Sequence, residues 1–374
     1  MSKKLFSVLC IVLLLFAAGC SDTNNEIEEN VTQEDITQEP VTDELMLTVS
    51  DLNGIFESIN LSEANLVFYD GEVTNTCAAN DAIRAGSYIE KLKNFTWKEC
   101  EQPSTSGLNA DIQLVFELSN AGSDISLFRT SLQVGHYIHV VSPQREGFFT
   151  LPKIAGEHNS EPKQASYMIR DTFINWYDEA RAAQLFSTGG EVLTSEELDL
   201  FVDFTESRAM NSNITEKIHC FFTSFYDDIR ALDFEPFMRY FPGDSIDTTV
   251  TDEEFELLRG VEIWPFKEIE SLDSMPVPIH KYSRSEVDEA LSRYAGITTA
   301  DLDTSGVAYL EEYDSFYNYT SDAGHGMFAP AYGEKSGDIV TLWTVPRQYG
   351  ATMLVLQKSG ESWHILSHQH VSIK

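Results

Sequence analysis

Relative to its acids, this 374-residue chain is poor in basic residues: 25 Lys and Arg stand against 60 Asp and Glu, a formal net charge of −35. The shortage excludes nucleic acid as a partner, because affinity there rests on cationic contacts to phosphate. It also disfavours anionic polymers and bare membrane surfaces, and leaves cations and neutral ligands. Acidity serves solubility as well, without any partner. Cysteine is scarce too, confined to Cys10, Cys20, Cys77, Cys100 and Cys220. No metal-binding spacing results. A Cys77–Cys100 disulfide would suit an exported domain, while Cys220, in the apolar run His219-Cys-Phe-Phe, reads as a buried thiol. The apolar stretch at residues 5–16 falls short of the roughly 20 residues that cross a bilayer. A nucleophile elbow, a phosphate-cradling glycine loop and HExxH are all missing. Ser160-Glu-Pro-Lys163 matches SxxK in letters alone, with Pro162 inside it and no partner motifs.

What is present begins with an export pattern. Lys3 and Lys4 precede the apolar stretch, and Ala17-Ala18-Gly19-Cys20 follows it. Small residues before a cleavage point mark a signal peptide over residues 1–19. The cysteine directly after them resembles the lipobox of bacterial lipoproteins, although Leu is commoner where Ala17 stands. That resemblance implies cleavage before Cys20, diacylation of its thiol and a body held on the extracytoplasmic face of the cell membrane. Two acyl chains, at roughly 0.8 kcal/mol per buried methylene, anchor stably. An ordinary secretory signal with an incidental Cys20 is the alternative. Cleavage would remove just Lys3 and Lys4 among the charges, so the exported chain is more acidic still.

Residues 21–44 carry nine acids, no Lys or Arg, and the near-repeat Val31-Thr-Gln-Glu-Asp, Ile36-Thr-Gln-Glu-Pro, Val41-Thr-Asp-Glu. Such a stretch buries too little apolar surface to offset its ordering entropy, so a disordered acidic linker is expected over residues 20–46.

The remainder predicts α+β architecture: two domains, each with a small antiparallel sheet packed by helices. In residues 47–185, a strand at Leu66-Val-Phe-Tyr69 and a helix at residues 80–93, capped by Asn80, precede a β-meander. Its alternating positions are Ile112, Leu114, Phe116 and Leu118, then Phe128, Thr130, Leu132 and Val134, then Ile138 and Val140, then residues 148–151. Turns are expected at residues 120–123, 135 and 143–147. A helix at residues 165–184 closes the domain, with Ile169, Phe173, Trp176, Tyr177 and Ala180 on one face. Residues 186–192 read as a linker. Residues 193–374 open with the capping box Thr194-Ser-Glu-Glu197. Helices follow at residues 216–230, 251–258 and 283–294, then strands at 338–345, 352–358 and 363–373. The β-α-β alternation of solute-binding proteins is absent from this pattern.

Three runs carry a second resemblance: Cys220-Phe-Phe-Thr-Ser-Phe-Tyr-Asp227, Met275-Pro-Val-Pro-Ile-His280, and Tyr309-Leu-Glu-Glu-Tyr-Asp-Ser-Phe-Tyr317 with Thr320-Ser-Asp322 beyond. They resemble an uncharacterised group of lipoproteins from Gram-positive bacteria, over roughly residue 193 to the C-terminus. The likeness implies no activity and transfers no functional residues.

Two segments carry candidate chemistry. Asp301, Asp303, Ser305, Val307 and Glu312, with Gly306 between them, have the spacing of a calcium loop. Oxygens at positions 1, 3 and 5, a carbonyl at 7 and an acid at 12 converge when glycine turns the chain. Ala308 and Tyr309 depart from that pattern, and an Asp/Ser/Gly turn reads equally from the letters. In residues 309–319, Tyr309, Glu311, Tyr313, Asp314 and Tyr317 place aromatic faces beside carboxylates, which suits recognition of a sugar or peptide. The same letters also make an aromatic core segment with acids facing water. His364, His368 and His370, all even-numbered, would share one strand face, and just the last two are close enough to bind one ion. The expectation is a membrane-anchored extracytoplasmic binding module for a protein, peptide or glycan rather than an enzyme. The rival is a surface hydrolase using carboxylates of residues 309–319.

Overall fold

The computed structural model describes residues 46–373 apart from 71–72, 102–109, 119–120, 130–135, 143–144, 152–161, 208–215, 243–249, 320–325 and 348. The signal, Cys20, nearly all of the acidic linker, and Thr130, Leu132 and Val134 therefore lie outside the described residues.

Short-range capping starts several helices. Thr48 and Asp51 cap each other at the start of α1 (Val49–Ser58). After it, β1 (Ala64–Asp70) and β2 (Val73–Ala78) form a hairpin. Helix α2 begins at Ala85 and ends at Asn94, later than the expected Asn80 start, because a short 3₁₀ turn at Ala79–Asp81 intervenes. Then come β3 (Lys98–Cys100), β4 (Ala110–Leu118), β5 (Ala121–Arg129), β6 (His136–Val141), β7 (Glu146–Thr150) and the long helix α3 (Pro162–Phe186). Strand β5 begins at Ala121, so the turn expected over residues 120–123 is strand for most of its length.

The seven strands form one antiparallel sheet in the order β2-β1-β4-β5-β6-β7-β3. Leu66, Ile138, Val140 and Phe149 bury one face of it against Ile169, Phe173, Trp176, Tyr177 and Ala180 of α3. Each of the Leu, Ile, Val and Phe side chains contributes about 1.5–3 kcal/mol by leaving water. Cys77 and Cys100 lie on strands at opposite edges of this sheet and both thiols are free, so the disulfide the sequence allowed does not form.

Strand β8 (Glu191–Val192) leads to α4 (Ser195–Phe204), whose capping box at Thr194 and Glu197 is present as the sequence predicts. The helix expected over residues 216–230 is instead two 3₁₀ turns, Lys217–Phe222 and Ile229–Ala231. Ile218, His219, Cys220, Phe221 and Phe222 are all buried, so the segment threads the core with no polar face to present. Next are α5 (Phe234–Arg239), α6 (Asp252–Gly260), β9 (Ile279–Ser283) and α7 (Arg284–Ala295), which Gly296 ends in the left-handed region at φ +66°. Strands β10 (Ala308–Leu310) and β11 (Ser315–Tyr319) pair with β9 in the order β10-β11-β9. Finally β12 (Tyr332–Ser336), β13 (Ile339–Trp343), β14 (Ala351–Ser359) and β15 (Ser362–Val371) form an antiparallel sheet with β8, in the order β15-β14-β13-β12-β8. Antiparallel sheets packed by helices make the chain α+β.

Residues 44–374 form one compact unit. Residues 47–180 and 193–365 build separate apolar clusters, and a third joins them through Ala182, Phe186, Tyr332, Trp343 and Ala351. Phe186 stacks on Trp343 with ring centroids 6.0 Å apart. Beside them, buried Glu334 accepts hydrogen bonds from Thr188 N (2.9 Å), Thr188 Oγ1 (2.6 Å), Gly190 N (3.2 Å) and Tyr332 Oη (2.6 Å). Among the described residues no helix is long and apolar enough to cross a membrane.

Candidate functional site

The three-stranded sheet, not the larger ones, positions the candidate recognition residues. Strand β11 is its centre, with Ser315, Phe316, Tyr317 and Asn318 all buried. Asp314 enters it in the left-handed region at φ +45°, which a short polar side chain tolerates. Its Oδ1 accepts from the Tyr309 hydroxyl at 2.5 Å and faces Arg284 Nε at 3.0 Å. The Arg284 guanidinium also lies over the Tyr309 ring, 4.6 Å from its centroid. Tyr309 and Asp314 thus belong to a surface cluster locked by Arg284, whereas Glu311 and Glu312 are exposed in the 3₁₀ turn Glu311–Tyr313.

Tyr317 points to a different neighbourhood. It is buried and donates to Glu254 Oε1 at 2.7 Å. Glu254 also accepts from Lys281 Nζ and, in the capping box of α6, from Thr251 N and Oγ1. Burial alone would raise the Glu254 pKa, but bonds from Lys281, Tyr317 and Thr251 outweigh it and hold the carboxyl at about 2. The Tyr317 hydroxyl is pushed up by burial and by Glu254, so it keeps its proton and acts as a donor. Lys281 Nζ sits 4.9 Å from the Tyr313 ring centroid. This cluster satisfies its own polar groups and is structural.

Beyond Tyr317 opens a cavity of about 430 Å³. Its walls come from α5, the segment after α6, the turn before β10, and β11. Three rings meet edge to face there: Trp264–Tyr319 at 5.4 Å, Phe266–Tyr319 at 4.8 Å and Trp264–Phe266 at 5.9 Å. Ile263 and Tyr319 stand at the mouth, 44% and 39% exposed. Glu235 and Arg239, one helical turn apart on α5, pair at 2.5 Å, so the charges of the lining cancel. Among the described residues, two atoms of lining residues have no hydrogen-bond partner: Trp264 Nε1 and Asn318 Oδ1, both enclosed. The Asn318 amide nitrogen is used, donating to the Met238 carbonyl.

The expected sites therefore separate. Of the recognition residues, Tyr317 lines the cavity, while Tyr309, Glu311, Tyr313 and Asp314 do not. In the calcium-type loop, Val307 also lines it. Asp301 Oδ2 instead accepts from Thr298 N at 2.9 Å and Oγ1 at 3.2 Å, capping its own turn. Asp303 Oδ1 accepts from Ser305 N at 3.0 Å, and hydrogen bonds from the Ser305 side chain and then its backbone lower the Asp303 pKa. Glu312 is carried past strand β10 and lies exposed. Among the described residues no three His, Cys, Asp or Glu side chains converge in a metal-holding group.

The histidine face is also rearranged. A bulge opposite Val355 and Leu356 adds Leu366 to β15, so Ile365 and His368 lie across from Leu356 and Leu354. Those four are buried, whereas His364 lies across from exposed Gln357 on the other face. Trp264, Phe266, Glu235 and Arg239 were missed in the sequence. The run Ile263-Trp-Pro-Phe266, three large apolar residues around a proline in an acidic segment, was the available signal.

The chain matches no family model, no curated protein and no solved structure.

Proposed function

We propose that the protein is a lipid-anchored extracytoplasmic binding module, held to the membrane through Cys20, with the cavity beside β11 as its recognition site. One observation carries the reading: the cavity presents aromatic side chains and a neutralised ion pair. Ligand sites are typically concave and set a few placed polar groups among aromatic and apolar ones, and this lining sets Glu235, Arg239 and Asn318 beside Trp264, Phe266 and Tyr319. The rival hydrolase needs two carboxylates across a substrate, with one free to act as acid. Glu311, Glu312 and Asp314 line no part of the cavity, and Glu235 is tied to Arg239.

Two measurements test the two halves of the proposal. Cys20→Ala moves the protein from the membrane fraction to the soluble fraction of cells; unchanged membrane retention would overturn lipid anchoring. Tyr319→Ala, at a side chain that is 39% exposed, abolishes binding to isolated cell envelopes or their extracts while the melting temperature holds. Binding that survives this substitution would place recognition elsewhere.

A further inference from the structure

The cavity's chemistry narrows its ligand, on the assumption that it is the recognition site proposed above. Three features act together. First, Glu235 and Arg239 cancel at 2.5 Å, so the lining carries no net charge to attract an ion. An anion would in addition meet the field of a chain with net charge −35. Second, the rings of Phe266 and Tyr319 offer apolar contact at the open side, and Ile263 continues it. Third, among the described residues Trp264 Nε1 is a donor without an acceptor and Asn318 Oδ1 an acceptor without a donor, both on residues that line the cavity.

A buried polar group left without a partner destabilises the fold, and a purely apolar ligand would leave both as they are. An aliphatic hydroxyl both donates and accepts from one oxygen, so it can answer either atom. We infer that the cavity binds a neutral sugar, its C–H face on Phe266 and Tyr319 and its hydroxyls turned toward Trp264 and Asn318. At about 430 Å³ the space sits at the small end of ligand pockets. That size suits roughly one or two sugar rings, the end of a glycan rather than its middle. Both unpartnered atoms are enclosed, so the ligand reaches them only when side chains at the mouth other than the stacking Tyr319 shift. Binding is accordingly coupled to a local rearrangement, and the Trp264 indole reports it.

The test is isothermal titration of the full-length protein, held in a detergent without a sugar headgroup. The probes are maltotriose, cellotriose, mannotriose and the neutral trimer of N-acetylglucosamine, with the blocked peptide N-acetyl-Ala-Gln-Ala-amide beside them. The expected result is binding of a trisaccharide, with Tyr319→Ala weakening it roughly tenfold or more. Trp264→Phe, which keeps an aromatic ring and removes the donor, weakens it roughly fivefold. Melting curves of both variants confirm folding, and Tyr319→Ala remains informative if Trp264→Phe unfolds. Peptide binding that depends on Tyr319, with no sugar bound, would overturn the sugar assignment and leave the binding-module reading intact. Sugar binding indifferent to Tyr319→Ala would place recognition outside this cavity, and binding of neither probe class would overturn the sugar assignment.

Discussion

Tyr317 on β11 donates to Glu254 on α6 across 63 residues of sequence, at 2.7 Å and out of contact with water. The bond ties the wall of the cavity to the helix behind it. Glu254 also receives Lys281 and the Thr251 capping bonds, so its charge is fully hydrogen-bonded.

Removing the Tyr317 hydroxyl isolates one bond to a buried charge, which contributes about 1.5–3 kcal/mol. Tyr317→Phe is expected to lower unfolding free energy by about 2 kcal/mol in denaturant titration. Glu254→Leu costs more, about 3 kcal/mol, because the Tyr317 hydroxyl and Lys281 lose their acceptor together. The double variant then falls short of the sum by at least 1 kcal/mol. Strict additivity would show that the two side chains do not interact.

Parts of this arrangement are legible in the sequence and parts are not. The capping box of Thr194 and Glu197 was readable because capping is decided within a few residues. The α3 face was readable because a long helix repeats its apolar spacing. Strand β11 was not, since a strand buried on both faces shows no alternation. The helix expected at residues 216–230 was misread because an apolar run buried on every side carries no period that separates an α-helix from another buried segment. The bulge at Leu366 inverted the face of His364, and one inserted residue leaves no mark in the letters. Of the cavity, Tyr317 was singled out, but Glu235, Trp264 and Phe266 come from segments that only tertiary folding brings to it.

Glu334 gives the fold an acid limit. Burial would raise its pKa, but bonds from Thr188, Tyr332 and Ser187 prevail and hold it at about 2, against 4.5 ordinarily. A carboxyl lowered on folding stabilises fully above the ordinary value and loses that contribution as pH falls through the folded one. The shift corresponds to about 3 kcal/mol lost between pH 4.5 and 2. Glu334→Gln should be less stable at pH 7 by about 2 kcal/mol and should flatten that part of the stability–pH curve. A variant with the slope of the native chain between pH 4.5 and 2 would move the acid sensitivity to other groups.

The loop from Asp301 to Glu312 makes a separate prediction about calcium. Asp301 caps its own turn, and Glu312 does not converge with it and Asp303 in one group. A site filled at 100 times its dissociation constant would stabilise the fold by about 2.7 kcal/mol. The expected outcome is equal melting temperatures in millimolar calcium and in chelator. A saturable rise with calcium would mean that the loop reorganises around the ion.

His368 sets a second pH window, on the near-neutral side. Its Nδ1 lies 2.7 Å from the Ser224 carbonyl, which can only accept, so Nδ1 carries the proton. Nε2 is then a bare lone pair, enclosed without a partner among Phe222, Phe225, Tyr226 and Phe328. Protonating it would bury a charge against rings, and burial lowers the His368 pKa, with the Ser224 bond opposing in part. The unfolded chain takes up a proton near 6.5 that the folded chain refuses, so stability is full above that pH and declines as pH falls below it. Asp178 acts oppositely in the same region: burial pushes its carboxyl up to about 6, so the fold gains as that group protonates. The His368 contribution therefore appears as a difference between chains. His368→Phe removes the Ser224 bond and the titrating ring while keeping an aromatic volume. It should be less stable at pH 8 by about 1 kcal/mol, and the gap should narrow between pH 6.5 and 5. A gap that stays constant across that range would show that His368 does not take up a proton on unfolding.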